Sequence, residues 1–270
     1  MLPQLTEVTT VGVWGPVASG KSHLLKQWIS GMGRVLVNDV TGSLIGDDSV
    51  THFWQTPKAM GQHLKENPYR FRVAYHPGGN IEQDFRWCFH LAWVMDAPRW
   101  LVCDEMWQIA PNEGPHVSDE ISLLARMPRH VKLGFIGASQ RLQDISTVLR
   151  SGMRMNVFFH MEQDRELRAV AETWGNETAD AVRELRPLIY DDASEQTHQV
   201  PECLVKFRGK PAMVYDLAGD QSTSEKDVQS NEKTLDNEST YDKVGNNETR
   251  GMQTVRTQMD HSDGPTEDVP

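Results

Sequence analysis

One short segment constrains this chain more than any other. Gly15, Pro16, Val17, Ala18, Ser19, Gly20, Lys21 and Ser22 follow the pattern G-x-x-x-x-G-K-S, and His23 comes next. A β-branched run with Val8, Val11 and Val13, ending at Trp14, leads into it. Leu24, Leu25, Trp28 and Ile29 recur at helical spacing after it, and Gly31 and Gly33 stop that helix. A glycine-rich turn between a strand and a helix lets backbone N–H groups wrap an anion, and the helix N-terminus favours negative charge there. Lys21 would neutralise β- and γ-phosphate charge, and Ser22 would ligate magnesium. ATP with Mg2+ is the expected ligand, held by Gly15 to His23. The alternative, a glycine-rich turn with an exposed lysine, leaves the flanking strand and helix without a purpose.

Strand-like and helix-like segments alternate through the rest of the body. Residues 34–38 (RVLVN), 71–75 (FRVAY), 100–103 (WLVC), 133–138 (LGFIGA) and 155–159 (MNVFF) read as strands. Ile81, Phe85, Phe89, Ala92 and Met95 mark a helix, and Ile121, Leu124, Ala125 and Pro128 a second helix and its end. Two more helices are expected near Glu166–Trp174 and Glu177–Leu185, and a closing hairpin of 204–207 and 212–215 around Gly209. The alternation predicts an α/β fold, a P-loop NTPase with a mainly parallel central sheet flanked by helices. Composition changes after Leu217. Residues 1–217 are expected to form the ATPase domain, and 218–270, poor in large apolar residues, a disordered acidic polar tail.

Further candidates sit at strand ends. Asp104 and Glu105 follow the apolar run 100–103. The first is placed to hold magnesium, and the second to orient and deprotonate a water for attack on the γ-phosphate. Gln140, after the strand 133–138, offers both a donor and an acceptor to the γ-phosphate; a merely polar strand end is the other reading. Arg150 and Arg154 precede the strand 155–159. Each is read either as an arginine reaching a neighbour's phosphate or as a surface arginine with a packed stem. Asp39, after the second strand, serves either a turn or the nucleotide site. Trp87, Phe89 and Trp93 fall on one helical stretch and are expected in the core rather than as a base-stacking platform. His76 and His90 show no partner in the sequence.

The chain of 270 residues carries a net charge of −11. The stretch from Gly219 to Pro270 holds 12 acids and 5 bases, so most of the excess lies in the tail. Such a balance disfavours a protein that coats nucleic acid. It is compatible with a ring touching DNA through a few pore residues. Cys88, Cys103 and Cys203 are far apart, without C-x-x-C spacing, and read as buried thiols of a reducing compartment. No secretory leader is recognisable and no apolar run suffices to cross a bilayer, so a soluble intracellular chain without a membrane span is expected.

With these residues in place, the chain resembles the HerA–FtsK superfamily of P-loop ATPases, and within it the genome-packaging ATPases of tailless, internal-membrane viruses. The resemblance covers about Val11 to Trp174. It rests on the loop Gly15–Ser22, on 35–39 (VLVND) with Gly42, on 101–105 (LVCDE), on 125–141 (ARMPRHVKLGFIGASQR) and on 148–159. It implies an ASCE or RecA-like sheet with an extra strand between the P-loop and acidic strands. It also implies ATP hydrolysis at the interfaces of a homo-oligomeric ring (pentamer or hexamer), with Glu105, Gln140 and a trans-acting Arg150 or Arg154, and translocation of double-stranded DNA. For a packaging motor it further implies viral capsid or portal-vertex proteins as partners, and a place in the host cytoplasm and at the virion or procapsid vertex. The chain departs from the family at Leu142, where cellular translocases often carry proline, and no DNA-tracking or winged-helix domain is expected in it. Two other jobs remain open on the same motif: a filamentous-phage-type assembly or export ATPase, and a P-loop small-molecule kinase.

Overall fold

The computed structural model describes residues 5, 9–44, 46–54, 57–94, 99–112, 118–126, 132–191 and 196–217, with the side chains of 52–57 and 189–199 left out. The tail expected from residue 218 onward, Val8 and Pro128 lie outside the described residues. Strand β1 (Thr10–Trp14) alternates Val11 and Val13 on one face of the sheet with Trp14 on the other, the period of two that a doubly covered strand requires. Helix α1 (Lys21–Gly31) buries Leu24, Leu25 and Ile29 against the Val11 and Val13 face. The opposite face is covered by α2 (Pro57–Glu66), α3 (Ile81–Val94), α4 (Asp119–Arg126), α5 (Thr147–Gly152), α6 (Asp164–Trp174) and α7 (Asn176–Arg183). Layers on both faces explain why the strands are nearly continuous apolar runs.

The remaining strands are β2 (Arg34–Asn38), β3 (His52–Trp54), β4 (Phe71–Tyr75), β5 (Arg99–Cys103), β6 (Leu133–Ser139), β7 (Met155–Phe159), β8 (Ile189–Asp191), β9 (Gln196–Gln199), β10 (Glu202–Phe207) and β11 (Ala212–Asp216). Nine of the described strands form one sheet in the order β11-β10-β7-β1-β6-β5-β2-β4-β3, and β8 pairs with β9 separately. From β7 to β3 all neighbours run parallel; β10 and β11 close the other edge as an antiparallel hairpin turning at Gly209, as expected. β6 lies between β1 and β5, the inserted strand that the resemblance implied.

Register then dictates where the chemistry gathers. Trp14 sits beside Ser139, Gly137 beside Cys103, and Cys103 beside Asn38. The carboxyl ends of β1, β6, β5 and β2 therefore share one edge of the sheet, where ligands of open α/β folds bind. Among the described residues no helix is long and apolar enough to cross a membrane. All three cysteines are buried and free. Phe89 is core as expected, while Trp93 is 41% exposed and stacks on His90 at 6.3 Å. His90 and His76, for which the sequence showed no partner, both have one: His90 Nε2 lies 3.0 Å from Glu120 Oε1, and His76 Nδ1 donates to the Asp39 carbonyl at 2.8 Å. These partners come from other elements, so no local pattern announces them.

Candidate nucleotide and magnesium site

The loop after β1 takes backbone conformations that its small residues permit. Ala18 is left-handed at φ 57° and Gly20, the residue before α1, has φ 105°. A side chain at Gly20 would be strained there, and its Cβ would stand 3.0 Å from the ring of Phe159 at the end of β7. Glycine thus allows α1 to begin directly against the loop, with its first N–H groups free to meet an anion. Pro16, Val17 and Ala18 are exposed on the outer side of the loop, and Ser22 and His23 are exposed at the start of α1. Ser19 is buried, and its hydroxyl has no hydrogen-bond partner, an orphaned polar atom that suits a loop built for phosphate oxygens.

Lys21 is the buried cation of the site. Its ammonium donates to the carbonyls of Gly15 at 2.8 Å and Pro16 at 2.6 Å, folding over the loop. Burial pushes its pKa down to about 8, and the charge of Glu105 opposes that shift. The same coupling ties the acidic end of β5 to the loop: the carboxylate stands close enough to Lys21 for its field to be felt.

Asp104 and Glu105 divide the two roles between two environments. Asp104 faces a small cleft that it lines together with Ser22 and Ser43. It accepts hydrogen bonds from the backbone N–H of Val40 at 2.6 Å and of Thr41 at 3.3 Å, and from the Thr41 hydroxyl. Burial pushes its pKa up to about 7; the Thr41 hydroxyl pulls it down, and the neighbouring charge of Asp39 adds to the rise. The cleft is otherwise walled by Leu25, Ile29, Val37 and Leu44; its carboxylate and hydroxyl are oxygen donors of the kind magnesium prefers, so Asp104 and Ser22 fit that ion.

Glu105 meets a different set of partners. Its backbone is left-handed, φ 49° and ψ 52°, and it leads into a short 3-10 turn two residues after β5 ends. The residue is 8% exposed. Gln140, from the end of β6, donates to Glu105 Oε1 at 2.5 Å, and Trp107 donates to Oε2 at 2.9 Å. A carboxylate has about four lone-pair positions, so each oxygen keeps one free for a water.

Asp39 resolves as a buried turn brace. It accepts from the backbone N–H groups of Ser43 at 3.0 Å and Leu44 at 2.9 Å, and it shapes the turn that grips Asp104. The two arginines lie at different levels of the sheet: Arg150, on α5, is near Glu166, which lines a cavity with Pro16 and Gln140. Arg154 precedes β7, and its N–H donates to the Thr10 carbonyl at 3.0 Å, at the amino end of the sheet. Its side chain is half-buried. Arg150 is 7% exposed, its Nε has no partner, and burial lowers its pKa against the charges of Glu172 and Glu166. Arg150 is thus the more enclosed of the pair and Arg154 the more accessible. Sequence reasoning missed Thr41 and Trp107. Thr41 is invisible because its contact with Asp104 spans two strands. Trp107, two residues past a candidate catalytic acid, carried a signal in its indole donor.

Fold and site together define a P-loop NTPase fold. No family model matches the chain, and no curated protein matches it. Among solved structures, the chain is similar to the genome-packaging NTPase B204 from Sulfolobus turreted icosahedral virus 2. In complex with AMPPCP that structure matches with TM-score 0.62 at 15% identity, over 77% of this chain and 96% of that one. The ATP-gammaS complex of the same NTPase matches with TM-score 0.60 at 14% identity, over 77% and 96%. The DNA-packaging ATPase B204 from Sulfolobus turreted icosahedral virus matches with TM-score 0.59 at 14% identity, over 78% and 98%. At such identities the likeness is one of fold, and it agrees with the resemblance drawn from the motifs.

Proposed function

We propose that this chain is an ATP-hydrolysing translocase of double-stranded DNA, working as a viral genome-packaging motor. The observation that carries the hydrolytic half is the junction at Glu105, a buried carboxylate fixed by Gln140 and Trp107 and within the electrostatic reach of Lys21. Kinases transfer phosphate to a bound acceptor and must exclude water, so a carboxylate oriented in this way argues for a hydrolase. The translocase half is supported by the fold shared with B204, the DNA-packaging ATPase from Sulfolobus turreted icosahedral virus.

In this reading the backbone of Gly15–Gly20 and the start of α1 cradle the phosphates, and Lys21 turns from its carbonyls to the β- and γ-oxygens. Ser22 and Asp104 would hold Mg2+, which supplies charge neutralisation between the phosphates. Glu105 takes the proton of the attacking water, and Gln140 reports the γ-phosphate to it through their shared hydrogen bond. Arg154 of a neighbouring copy completes the site in a pentameric or hexameric ring. Capsid or portal-vertex proteins are the expected docking partners, in the host cytoplasm and at the procapsid vertex.

The test is ATP turnover with and without duplex DNA, read beside particle mass. Duplex DNA should raise turnover in ring-sized particles. Glu105→Gln should keep ATP binding and slow turnover by about a hundredfold or more, the range of a lost general base. Rings whose turnover ignores DNA would remove the translocase; undiminished turnover in Glu105→Gln would remove the hydrolytic assignment.

A further inference from the structure

We infer that Trp107 is a positioning residue, whose indole N–H holds the Glu105 carboxylate in the orientation from which it acts on the attacking water. The inference rests on the hydrolase reading above and deepens it.

Glu105 leaves β5 through a left-handed backbone and enters the short 3-10 turn Met106–Gln108. Met106 is fully buried and pins that turn to the core. Trp107 is 42% exposed, unusual for a large apolar ring, and its packing into the core is correspondingly small. What the ring does make is one directed contact. Its single donor is spent on Glu105 Oε2 at 2.9 Å, while Gln140 occupies Oε1 at 2.5 Å from the other side.

Two donors on two oxygens fix the rotation of the carboxylate about its last bond. With Gln140 alone, the group hinges about a single hydrogen bond, and the oxygen facing the water loses its set direction. Small misplacements of a catalytic group cost rate far more than they cost binding, because orientation is needed in the transition state and not for ATP to bind. A hydrogen bond to a charged group is also stronger than a neutral one. The exposed ring contributes little else, so its removal should separate chemistry from folding.

Turnover of ATP with Mg2+ by the full chain, its KM and the melting temperature test this in two variants. Trp107→Phe keeps the aromatic ring and loses the donor; kcat should fall by about tenfold, with KM and melting temperature essentially unchanged. Trp107→His restores an N–H donor and should recover about threefold or more of that loss. Equal kcat for parent and Trp107→Phe overturns the inference and leaves the proposed function standing. So does a Trp107→His variant that folds normally and is as slow as Trp107→Phe. A loss that appears in KM as much as in kcat also overturns it. A parent chain that binds ATP without turning it over overturns the hydrolase reading and takes this inference with it.

Discussion

Asp104, at the end of β5, is gripped by the turn after β2: the backbone N–H of Val40 reaches its Oδ1 at 2.6 Å. Two strands that never adjoin in sequence thereby present one carboxylate to the cleft beside Ser22. Holding that group in place has an energetic consequence. Burial raises its pKa to about 7 from the ordinary 3.8. A carboxyl raised on folding favours the folded chain fully below its unfolded pKa, and that contribution is lost as pH rises through about 7. Above that window the metal-free chain carries a charge it would be more stable without. Asp104→Asn should therefore raise the melting temperature of the metal-free chain above pH 7 and abolish magnesium-dependent turnover. Below the unfolded pKa the two chains should melt alike. A variant that melts lower than the parent above pH 7 would show that the carboxylate's hydrogen bonds outweigh its desolvation.

Lys21 provides the second pH dependence. Burial holds its pKa down to about 8, so the lysine of the free chain loses its charge in mildly alkaline solution. Its folded pKa lies below the unfolded one, so this group favours the folded chain increasingly as pH rises from about 8 toward the unfolded value of 10.5. Phosphates require the charged form. ATP binding at about pH 9 must then take up a proton, and affinity should fall about tenfold relative to neutral pH. Calorimetry in buffers of different ionisation enthalpy reads that proton directly. Absence of proton uptake near pH 9 would mean that Lys21 is already fully charged in the free chain.

How much of this was legible beforehand depended on whether the signal was local. The loop Gly15–Ser22 is contiguous, so its strand and helix were readable around it. Apolar runs ending in Asp104 and Gln140 placed two strand ends, and parallel pairing then brought Glu105 within 2.5 Å of Gln140. The hairpin around Gly209 was visible because a positive-φ glycine separates two alternating runs. By contrast, α2 combines Pro57 and Gly61 with few large apolar residues, and β3 has three residues, so neither showed a period. Helix α5 is six residues long, under two turns, too short for helical spacing to repeat. The grip of Thr41 on Asp104 and the burial of Arg150 depend on neighbours distant in sequence.

The two arginines before β7 now part ways. Arg150 is enclosed, near Glu166 and Glu172, whose charges favour its protonated form. Glu166 is itself buried, and its Oε2 accepts the N–H of Leu142 at 3.0 Å. Removing the cation takes away one of the charges facing Glu166, which Arg165 and Arg141 also face. Arg150→Met should cost about 1 kcal/mol of stability, the scale of one lost interaction. Arg154→Ala should leave stability unchanged, because its structural bonds are made by its backbone. If Arg154 is the trans-acting group, its loss should slow turnover of assembled particles by about a thousandfold. Chemical denaturation and turnover of both variants separate the roles. Full activity in Arg154→Ala would place the finger elsewhere in the chain.

Gly152 tests how tightly the layer over the site-bearing strands is packed. It ends α5, and a Cβ there would lie 2.7 Å from the carbonyl oxygen of Ala125 and 2.8 Å from its Cα, both on the backbone of α4. Neither atom belongs to a side chain that can rotate away, so the two helices must separate to admit a methyl group. Leu124 on α4 and Leu149 on α5 are fully buried beneath that contact, and separation would open the core between them. Gly152→Ala removes chain entropy from the unfolded state, which by itself stabilises by about 0.4–1 kcal/mol. The overpacking cost of about 1–3 kcal/mol is larger, so the net effect should be destabilisation. The carbonyl of Gly152 also accepts the Thr10 hydroxyl at 3.0 Å, so a shift of α5 reaches the first residue of β1. Since the loop after β1 is anchored at the opposite end of that strand, ATP affinity should change little while the melting temperature falls. A variant as stable as the parent would show that α4 and α5 yield without cost.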